Sequence, residues 1–483
     1  MVQFNTSFFV VGILLSILGA AMMLPMLVDY TSHQPDWVVF AVASGLTMFV
    51  GGTLILAFYQ DRSPDFGIRE AFVLTLLSWI SIILFAMLPI YWSSFHISFI
   101  DALFETTSAL TTTGATVVTG KTGVQNGLLL WTALLQWLGG IGIIVMAITI
   151  LPFLKVGGMQ LFRAEFSDRS EKIMPRLSQM TKAIVLTYGF FTLIGVISLW
   201  AAGMDPFDAI CHSLTAISTG GLSTKDESIA FFDSIAIELV LIALMIVGGA
   251  TMVLFIRTWH SSPKVLWQDM QFRGYIKILG YASFVGALWH SLNTSAPFLE
   301  SLRSWGFTTV SLITTTGFTN GDYTLWGPLA NVFFFFCMFI GGSTGSTSGG
   351  VKIFRFQVLS ILTEMQLRQA RHPHGIFLPR YNDQVLQESI IFSVVSFFAL
   401  FGISYVFIAL GLALFGLDLT TALSGSAAVL TNAGPGLGEI IGPSGNYALL
   451  PTGAKYLLIF GMLLGRLEFV TVFLIFSRSF WRS

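Results

Sequence analysis

Four short segments of this 483-residue chain set a glycine among small, oxygen-bearing side chains. They are Thr111–Thr116 (TTTGAT), Ser218–Ser223 (STGGLS), Thr314–Thr319 (TTTGFT) and Thr431–Gly436 (TNAGPG). Their glycines align as Gly114, Gly221, Gly317 and Gly434, and Asp101-Ala102 and Asp208-Ala209 each begin 13 residues before their glycine, which checks the register. Glycine reaches left-handed or extended turns without a Cβ clash. A backbone turned that way presents rows of carbonyl oxygens, which can replace the hydration shell of a cation. The threonine hydroxyls add oxygen ligands or brace the loop. The chemistry on offer is therefore cation coordination by backbone.

The surroundings of these segments are apolar. The chain is 54% hydrophobic and 10% charged, with 45 phenylalanines and a mean hydropathy of +0.79. Soluble domains carry about 25% charged residues, so this reads as a polytopic membrane protein. Runs long enough to span a bilayer, about 20 residues, lie near 8–28, 37–58, 70–92, 127–154, 183–203, 235–257, 275–293, 386–414 and 454–477. The N-terminal run has no basic leader and reads as a first span, not a cleaved signal. Each glycine segment follows a run of about 12 residues, such as DALFETTSALTT, which is too short to cross. Such a run must enter and leave by one face, and non-helical backbone at that depth needs protein or a water-filled cavity around it. The expected fold class is an all-α polytopic membrane protein. It has an N-terminal two-helix hairpin (1–66) and four span–pore-helix–filter–span repeats (67–160, 161–262, 263–375 and 376–483) arranged pseudo-fourfold around one pore. The starts Asp101, Asp205-Pro206 and Ser295-Ala296-Pro297 suit short helices. Their C-terminal ends, partially negative, would face the axis and favour a cation.

Of the 24 Lys and Arg residues, 19 fall in segments 59–69, 155–182, 257–277 and 352–380 and in the tail after 477, which makes that side cytoplasmic. The second span of the third repeat is interrupted by GGSTGSTSGG. These ten residues are Gly341, Gly342, Ser343, Thr344, Gly345, Ser346, Thr347, Ser348, Gly349 and Gly350. They read as a loop under the filter, able to obstruct or open the pore. Arg466 and Glu468 (GRLEFVT) sit inside the last apolar span. An intramembrane charge usually faces a cavity or a partner, and a fixed positive charge beside a cation path acts as a barrier or gate element.

Ala115–Thr122 (ATVVTGKT) has P-loop spacing but no preceding strand. Lys121 is expected to be an exposed loop residue, and an ATP-driven pump has no other support. Cys211 and Cys337 read as small packing residues, and the seven histidines show no ligand-like spacing.

The filter segments, together with LQWLGGIGIIV (135–145), VGGMQLFRAE (156–165), GGSTGSTSGGVK, TNAGPGLG (431–438) and GRLE, resemble the TrkH family of bacterial potassium-uptake subunits. Its wider superfamily includes TrkG, KtrB and plant and fungal relatives. The likeness runs along nearly the whole chain. It implies a non-enzymatic protein of the bacterial inner membrane, with K⁺ as the permeant ion and no organic cofactor, and with the filter side periplasmic. It implies a homodimer in the lipid bilayer, gated by a cytoplasmic NAD/ATP/ADP-binding subunit, TrkA, with no nucleic-acid partner. Residue by residue, it places K⁺-coordinating backbone at Thr112, Thr113 and Gly114; at Thr219, Gly220 and Gly221; at Thr315, Thr316 and Gly317; and at Asn432, Ala433 and Gly434. It sets the Gly341–Gly350 gate loop against Arg466. The competing reading is a secondary transporter coupling K⁺ to H⁺ or Na⁺, with Glu468 as its clearest intramembrane carboxylate.

Overall fold

The computed structural model describes residues 4–59, 68–149, 177–382 and 384–482. Their regular elements are helices, save one short ribbon pairing Arg380–Tyr381 with Gln384–Val385. The basic residues of 60–67, most of 155–182 and the motif at 156–165 lie outside the described residues.

Phe4–Thr31 and Trp37–Phe58 make the N-terminal hairpin. Small residues let these helices approach closely, as is usual where lipid offers no hydrophobic drive. A Cβ added to Gly51 would lie 2.8 Å from the Gly12 carbonyl oxygen and 2.6 Å from the Ser16 hydroxyl. Ser44 also donates across the pair to the Gly19 carbonyl, at 2.7 Å.

Each of the four units then runs down, halfway back and out. The first spans are Ile68–Trp92, Leu177–Ala201, Met270–Thr294 and Glu388–Leu414. The pore helices are Phe99–Leu110, Pro206–Ile217, Phe298–Ile313 and Leu419–Leu430, of 12, 12, 16 and 12 residues. Side-chain caps fix three of their starts. Ser98 accepts from the Asp101 amide, Asp205 from the Phe207 amide, and Asp418 from those of Thr420 and Thr421. The cap of the first is thus Ser98, not Asp101. Asp101 instead receives Lys455 Nζ at 2.6 Å, tying the first repeat to the fourth.

The second spans depart from the sequence reading. Only Asn126–Thr149 is continuous. The expected single spans 235–257 and 454–477 are both broken: Ile235–Gly249 meets Met252–His260 at 92°, and Thr452–Arg466 meets Phe469–Phe476 at 112°. Pro328–Ile340 and Ile353–Arg371 flank the glycine-rich loop. A helix must end where its last carbonyls find other donors. The Gly248 and Gly249 carbonyls accept from the Thr347 hydroxyl and the Ser343 amide, at 2.9 and 2.8 Å. The Met462 carbonyl accepts from Asn432 Nδ2 at 3.1 Å, and Glu468 takes φ 63° just past the break.

Because the hairpin has no room for a side chain at Gly51, Gly51→Ile should destabilise the protein by about 1–3 kcal/mol through overpacking. Thermal unfolding in detergent micelles reads this directly, and an unchanged midpoint would refute the close packing.

Candidate ion-permeation site

The pore helices share one ending. The first residue of each C-terminal turn past the helix sends both its N–H and its hydroxyl back four residues, as Thr111 does to Thr107, Thr314 to Val310 and Thr431 to Ala427. Ser218 does the same to Leu214. The next residue is left-handed in every repeat: Thr112 (φ 54°), Thr219 (51°), Thr315 (57°) and Asn432 (53°). The amides of Thr113, Gly220, Thr316 and Ala433 then reach back to Ser108, Thr215, Ser311 and Ala428, at 2.8–2.9 Å. This is the Schellman closure, normally built on glycine. A β-branched residue there costs roughly 1–2 kcal/mol, so three threonines hold a strained turn at matched points.

The aligned glycines follow with φ of 79° (Gly114), 72° (Gly221), 86° (Gly317) and 89° (Gly434). Gly221, not Gly220, therefore holds the register of the second segment. A Cβ on Gly114 would strike the carbonyl oxygen of Gly220; on Gly221, that of Thr316; on Gly317, that of Ala433; and on Gly434, that of Thr113, all under 3.0 Å. The contacts run first to second, second to third, third to fourth and fourth to first, so the four segments close into a ring. The carbonyls before each glycine point around that ring. Among the described residues, no group donates to the carbonyls of Thr112, Thr219, Thr315 or Asn432.

The hydroxyls of Thr113 and Thr316 brace their turns. Thr113 bonds Thr111 and Thr316 bonds Thr314, each at 2.7 Å, while Asn432 Nδ2 donates to Thr113 Oγ1 at 2.8 Å. In the second segment, Gln136 fills the space that Gly220 leaves. It donates to the Gly220 carbonyl at 2.7 Å and accepts from the Leu222 amide at 3.2 Å. In the fourth, the Tyr447 hydroxyl donates to the Gly434 carbonyl at 2.8 Å.

Beyond the ring opens a mouth of about 70 Å³, lined by all four aligned glycines, Lys121 and Asp226 among others. Bonds between repeats close this level too. Lys121 Nζ donates to the Ser223 carbonyl, Ile229 N–H to Thr319, the Tyr323 hydroxyl to Gly436, and Tyr447 N–H to Thr116. Lys121 is thus buried at 9% exposure, not the exposed loop residue expected. Burial lowers its pKa below the ordinary lysine value, and the carboxylates of Glu105 and Asp226 oppose that shift. Glu105 itself accepts from the Thr116 hydroxyl and the Val117 amide, gripping the exit of the first segment.

On the opposite face, the loop 341–350 seals against the ring. Gly349 N–H donates to the Thr315 hydroxyl at 2.7 Å, Gly350 N–H to the Thr431 carbonyl at 2.8 Å, and the Thr219 hydroxyl to Thr347 at 3.1 Å. Gly341, Gly345 and Gly350 all have positive φ. Gly342 N–H donates to Ser348, Ser346 Oγ to the Ser343 carbonyl, and the Thr344 carbonyl accepts from Thr251. Arg466 Nη1 donates to the Thr347 carbonyl at 2.8 Å, while its Nε and Nη2 are buried with no partner among the described residues. Arg466 does not pair with Glu468. That carboxylate takes Arg355 Nη2 at 2.6 Å, and the Arg355 guanidinium lies 3.5 Å over the Phe397 ring.

Sequence reasoning passed over Gln136, Tyr447, Lys121 and Arg355 as site residues. It also passed over a signal that was there to read. The second spans repeat a glycine pair, Gly139-Gly140, Gly248-Gly249 and Gly341-Gly342, and the fourth reads Gly465-Arg466. A Cβ on Gly139, Gly248 or Gly465 would meet the last-turn carbonyl of its own pore helix, Leu110, Ile217 or Leu430. Arg466 therefore stands where the first and second repeats have the second glycine of the pair, whereas a Cβ on Gly341 would meet the Gly349 carbonyl instead of its pore helix.

A family model described as TrkH, cation transport protein, matches residues 39–284 and 295–483. The chain is 42% identical to the Trk system potassium uptake protein TrkI of Halomonas elongata, over 98% of this chain and 96% of that protein. It is 34% identical to the Trk system potassium uptake protein TrkH of Escherichia coli K12, over 98% of each. The crystal structure of the potassium transporter TrkH from Vibrio parahaemolyticus superposes with a TM-score of 0.91 at 33% identity, covering 99% of this chain and 100% of that one.

Glu105 and Lys121 line one small cavity of about 20 Å³ behind the mouth. Removing one member of a buried charge couple costs about 3–5 kcal/mol. Lys121→Met should therefore lower the thermal unfolding midpoint sharply, and adding Glu105→Gln should recover most of the loss. A double variant as unstable as the single would show that the two charges do not compensate each other.

Proposed function

The chain belongs to the TrkH family of cation transport proteins, and from that premise we propose how it handles its ion. It takes up potassium and is not an enzyme. We infer channel-like permeation of K⁺ through the ring formed by Thr112–Gly114, Thr219–Gly221, Thr315–Gly317 and Asn432–Gly434. One observation carries this reading: the cyclic order in which each aligned glycine receives its neighbour's carbonyl. Four C-terminal helix ends directed at the ring add a field that favours a cation. The carbonyls at the left-handed positions, with no protein donor among the described residues, supply oxygen for it.

In this reading Gly341–Gly350 is the gate. Beyond the bonds within the loop itself, its polar contacts reach the ring, the broken span at 248–251, Gln271 and Arg466, so its removal from the path would break them together. Arg466 places a positive charge under the ring, and its Nε and Nη2 have no partner among the described residues. The protein works in the bacterial inner membrane with the ring toward the periplasm and the basic segments in the cytoplasm. There, as a homodimer, it meets a nucleotide-binding regulatory subunit, TrkA. Coupling of K⁺ to H⁺ or Na⁺ loses its main support, because the Glu468 carboxylate is engaged by Arg355.

A side chain at Gly317 meets both the Ala433 carbonyl and the Pro435 ring, at a φ that disfavours it. Gly317→Ser should lower the K⁺ over Na⁺ flux ratio of reconstituted vesicles by an order of magnitude or more; an unchanged ratio would remove this segment from the filter. Arg466→Ala, or shortening Gly341–Gly350, should raise K⁺ flux measured without the cytoplasmic partner. Flux that stays at the wild-type level would count against a gate here. Reversal potentials that follow the K⁺ gradient alone support permeation, and a fixed K⁺ to H⁺ stoichiometry would overturn it.

A further inference from the structure

We propose, resting on the permeation reading above, that Gln136 is a specificity-determining positioning residue of the ion path. From the second span of the first repeat it sets the Gly220 carbonyl of the second filter segment. That segment reads STGGLS, with Gly220 and Gly221 in succession. At the place of Gly220 the other segments carry Thr113, Thr316 and Ala433. Two of these brace their own turns, Thr113 on Thr111 and Thr316 on Thr314. Ala433 is soon followed by Pro435, whose ring fixes φ. Gly220 has no side chain to do either, and glycine has the freest backbone of all residues. Yet its carbonyl helps close the ring, lying where a Cβ of Gly114 would stand.

Gln136 supplies the missing restraint from outside. It is wholly buried, and both ends of its amide are used. Nε2 donates to the Gly220 carbonyl at 2.7 Å, and Oε1 accepts from the Leu222 amide at 3.2 Å. The two bonds straddle Gly221. A backbone carbonyl only accepts and a backbone amide only donates, so the partners dictate which way the side chain points. A carbonyl oxygen has two lone pairs, so the bond from Gln136 leaves one for an ion while fixing the direction of the group. Among the described residues, no group donates to the carbonyls of Thr113, Thr316 or Ala433. The tether therefore belongs to the second quarter of the ring.

The repeats show that this glutamine answers that glycine. In the first and second repeats, the second span turns one face to the following filter segment. A Cβ on Gly140 would lie 3.0 Å from Cβ of Ser218, and one on Gly249 would lie 3.3 Å from Cγ2 of Thr314. One turn earlier on those faces stand Gln136 and Met245, both wholly buried. In the fourth repeat, buried Met462 stands three residues before Gly465, as Gln136 stands three before Gly139. A buried amide is costly unless hydrogen-bonded, so methionine would serve here too if packing were all the place required. The amide instead occurs beside the filter residue that lacks a side chain. The two are mutually exclusive with their alternatives: a Cβ on Gly220 would lie 2.4 Å from Cδ of Gln136.

Gln136→Met removes both bonds and keeps the bulk. In reconstituted vesicles it should lower the K⁺ over Na⁺ flux ratio by about fivefold or more, the worth of about one hydrogen bond. Gln136→Leu serves if the methionine variant does not fold. Gly220 has no positive φ, so a side chain is allowed there once Gln136 is gone. Adding Gly220→Thr to Gln136→Met reproduces the combination of Met245 and Thr316, with Ser218 in the place of Thr314 to brace the new hydroxyl. The double variant should recover the ratio to within about twofold of wild type, the non-additivity of a coupled pair. A single variant that loses total flux but keeps the ratio makes Gln136 a packing residue and overturns the proposal. So does a double variant no more selective than the single. Gly317→Ser in the same vesicles separates the failures. If it changes the ratio and the Gln136 variants do not, the filter stands and the role of Gln136 falls; if neither changes it, both fall.

Discussion

The whole arrangement depends on one steric fact. At four points, a backbone carbonyl occupies the space where an L-residue would carry its Cβ. Because Gly114, Gly221, Gly317 and Gly434 each receive the carbonyl of the next segment in a fixed cyclic order, the segments can approach only as a closed set. The left-handed turns at Thr112, Thr219, Thr315 and Asn432 are the strained joints that aim each chain into that set. Everything outside the ring works to hold those joints. Pore helices deliver them, hydroxyls double their closing bonds, and links between repeats at the mouth stop the quarters from drifting apart.

The two faces of the ring are braced by different chemistry. At the mouth the ties include buried charges, Lys121 and Glu105 behind it and Lys455 on Asp101 at its edge. Such ties are expensive to break and persist only when fully partnered. On the opposite face, apart from the Arg466 guanidinium on the Thr347 carbonyl, the ties are neutral hydrogen bonds from glycine amides and hydroxyls, each worth about 1 kcal/mol net. The ring is thus held by buried charges on one face and by many individually weaker contacts on the other.

The sequence disclosed those features that local backbone chemistry dictates. Glycines that need positive φ recur at fixed register, so Gly221 could be chosen over Gly220. A ten-residue run of glycine and hydroxyl residues cannot continue a helix, so the loop at 341–350 was legible. Pore helices showed through their length and their starts. What stayed hidden depends on who the neighbours are. The breaks at 250–251 and after Arg466 follow from carbonyls diverted to the loop and to Asn432, which no local pattern encodes. Arg355 takes the Glu468 carboxylate from a helix more than a hundred residues away, so adjacency in GRLE misled. Lys121 looked exposed because its buried setting is built by the second repeat. The repeated glycine pair in the second spans was visible, yet only the contacts with Leu110, Ile217 and Leu430 give it meaning.

That last pattern has a consequence for how such a pore can be built. Arg466 stands at a position that is glycine in the first two quarters. A symmetric assembly of four identical subunits could not make that substitution once. It would bring four guanidinium groups to one axis, where their mutual repulsion in a poorly solvated space would force the floor of the pore apart. Joining the quarters in a single polypeptide frees each position from symmetry. One quarter can carry the charge, another the glycine-rich loop, and a third an unbroken strut, while the ring above them stays nearly fourfold.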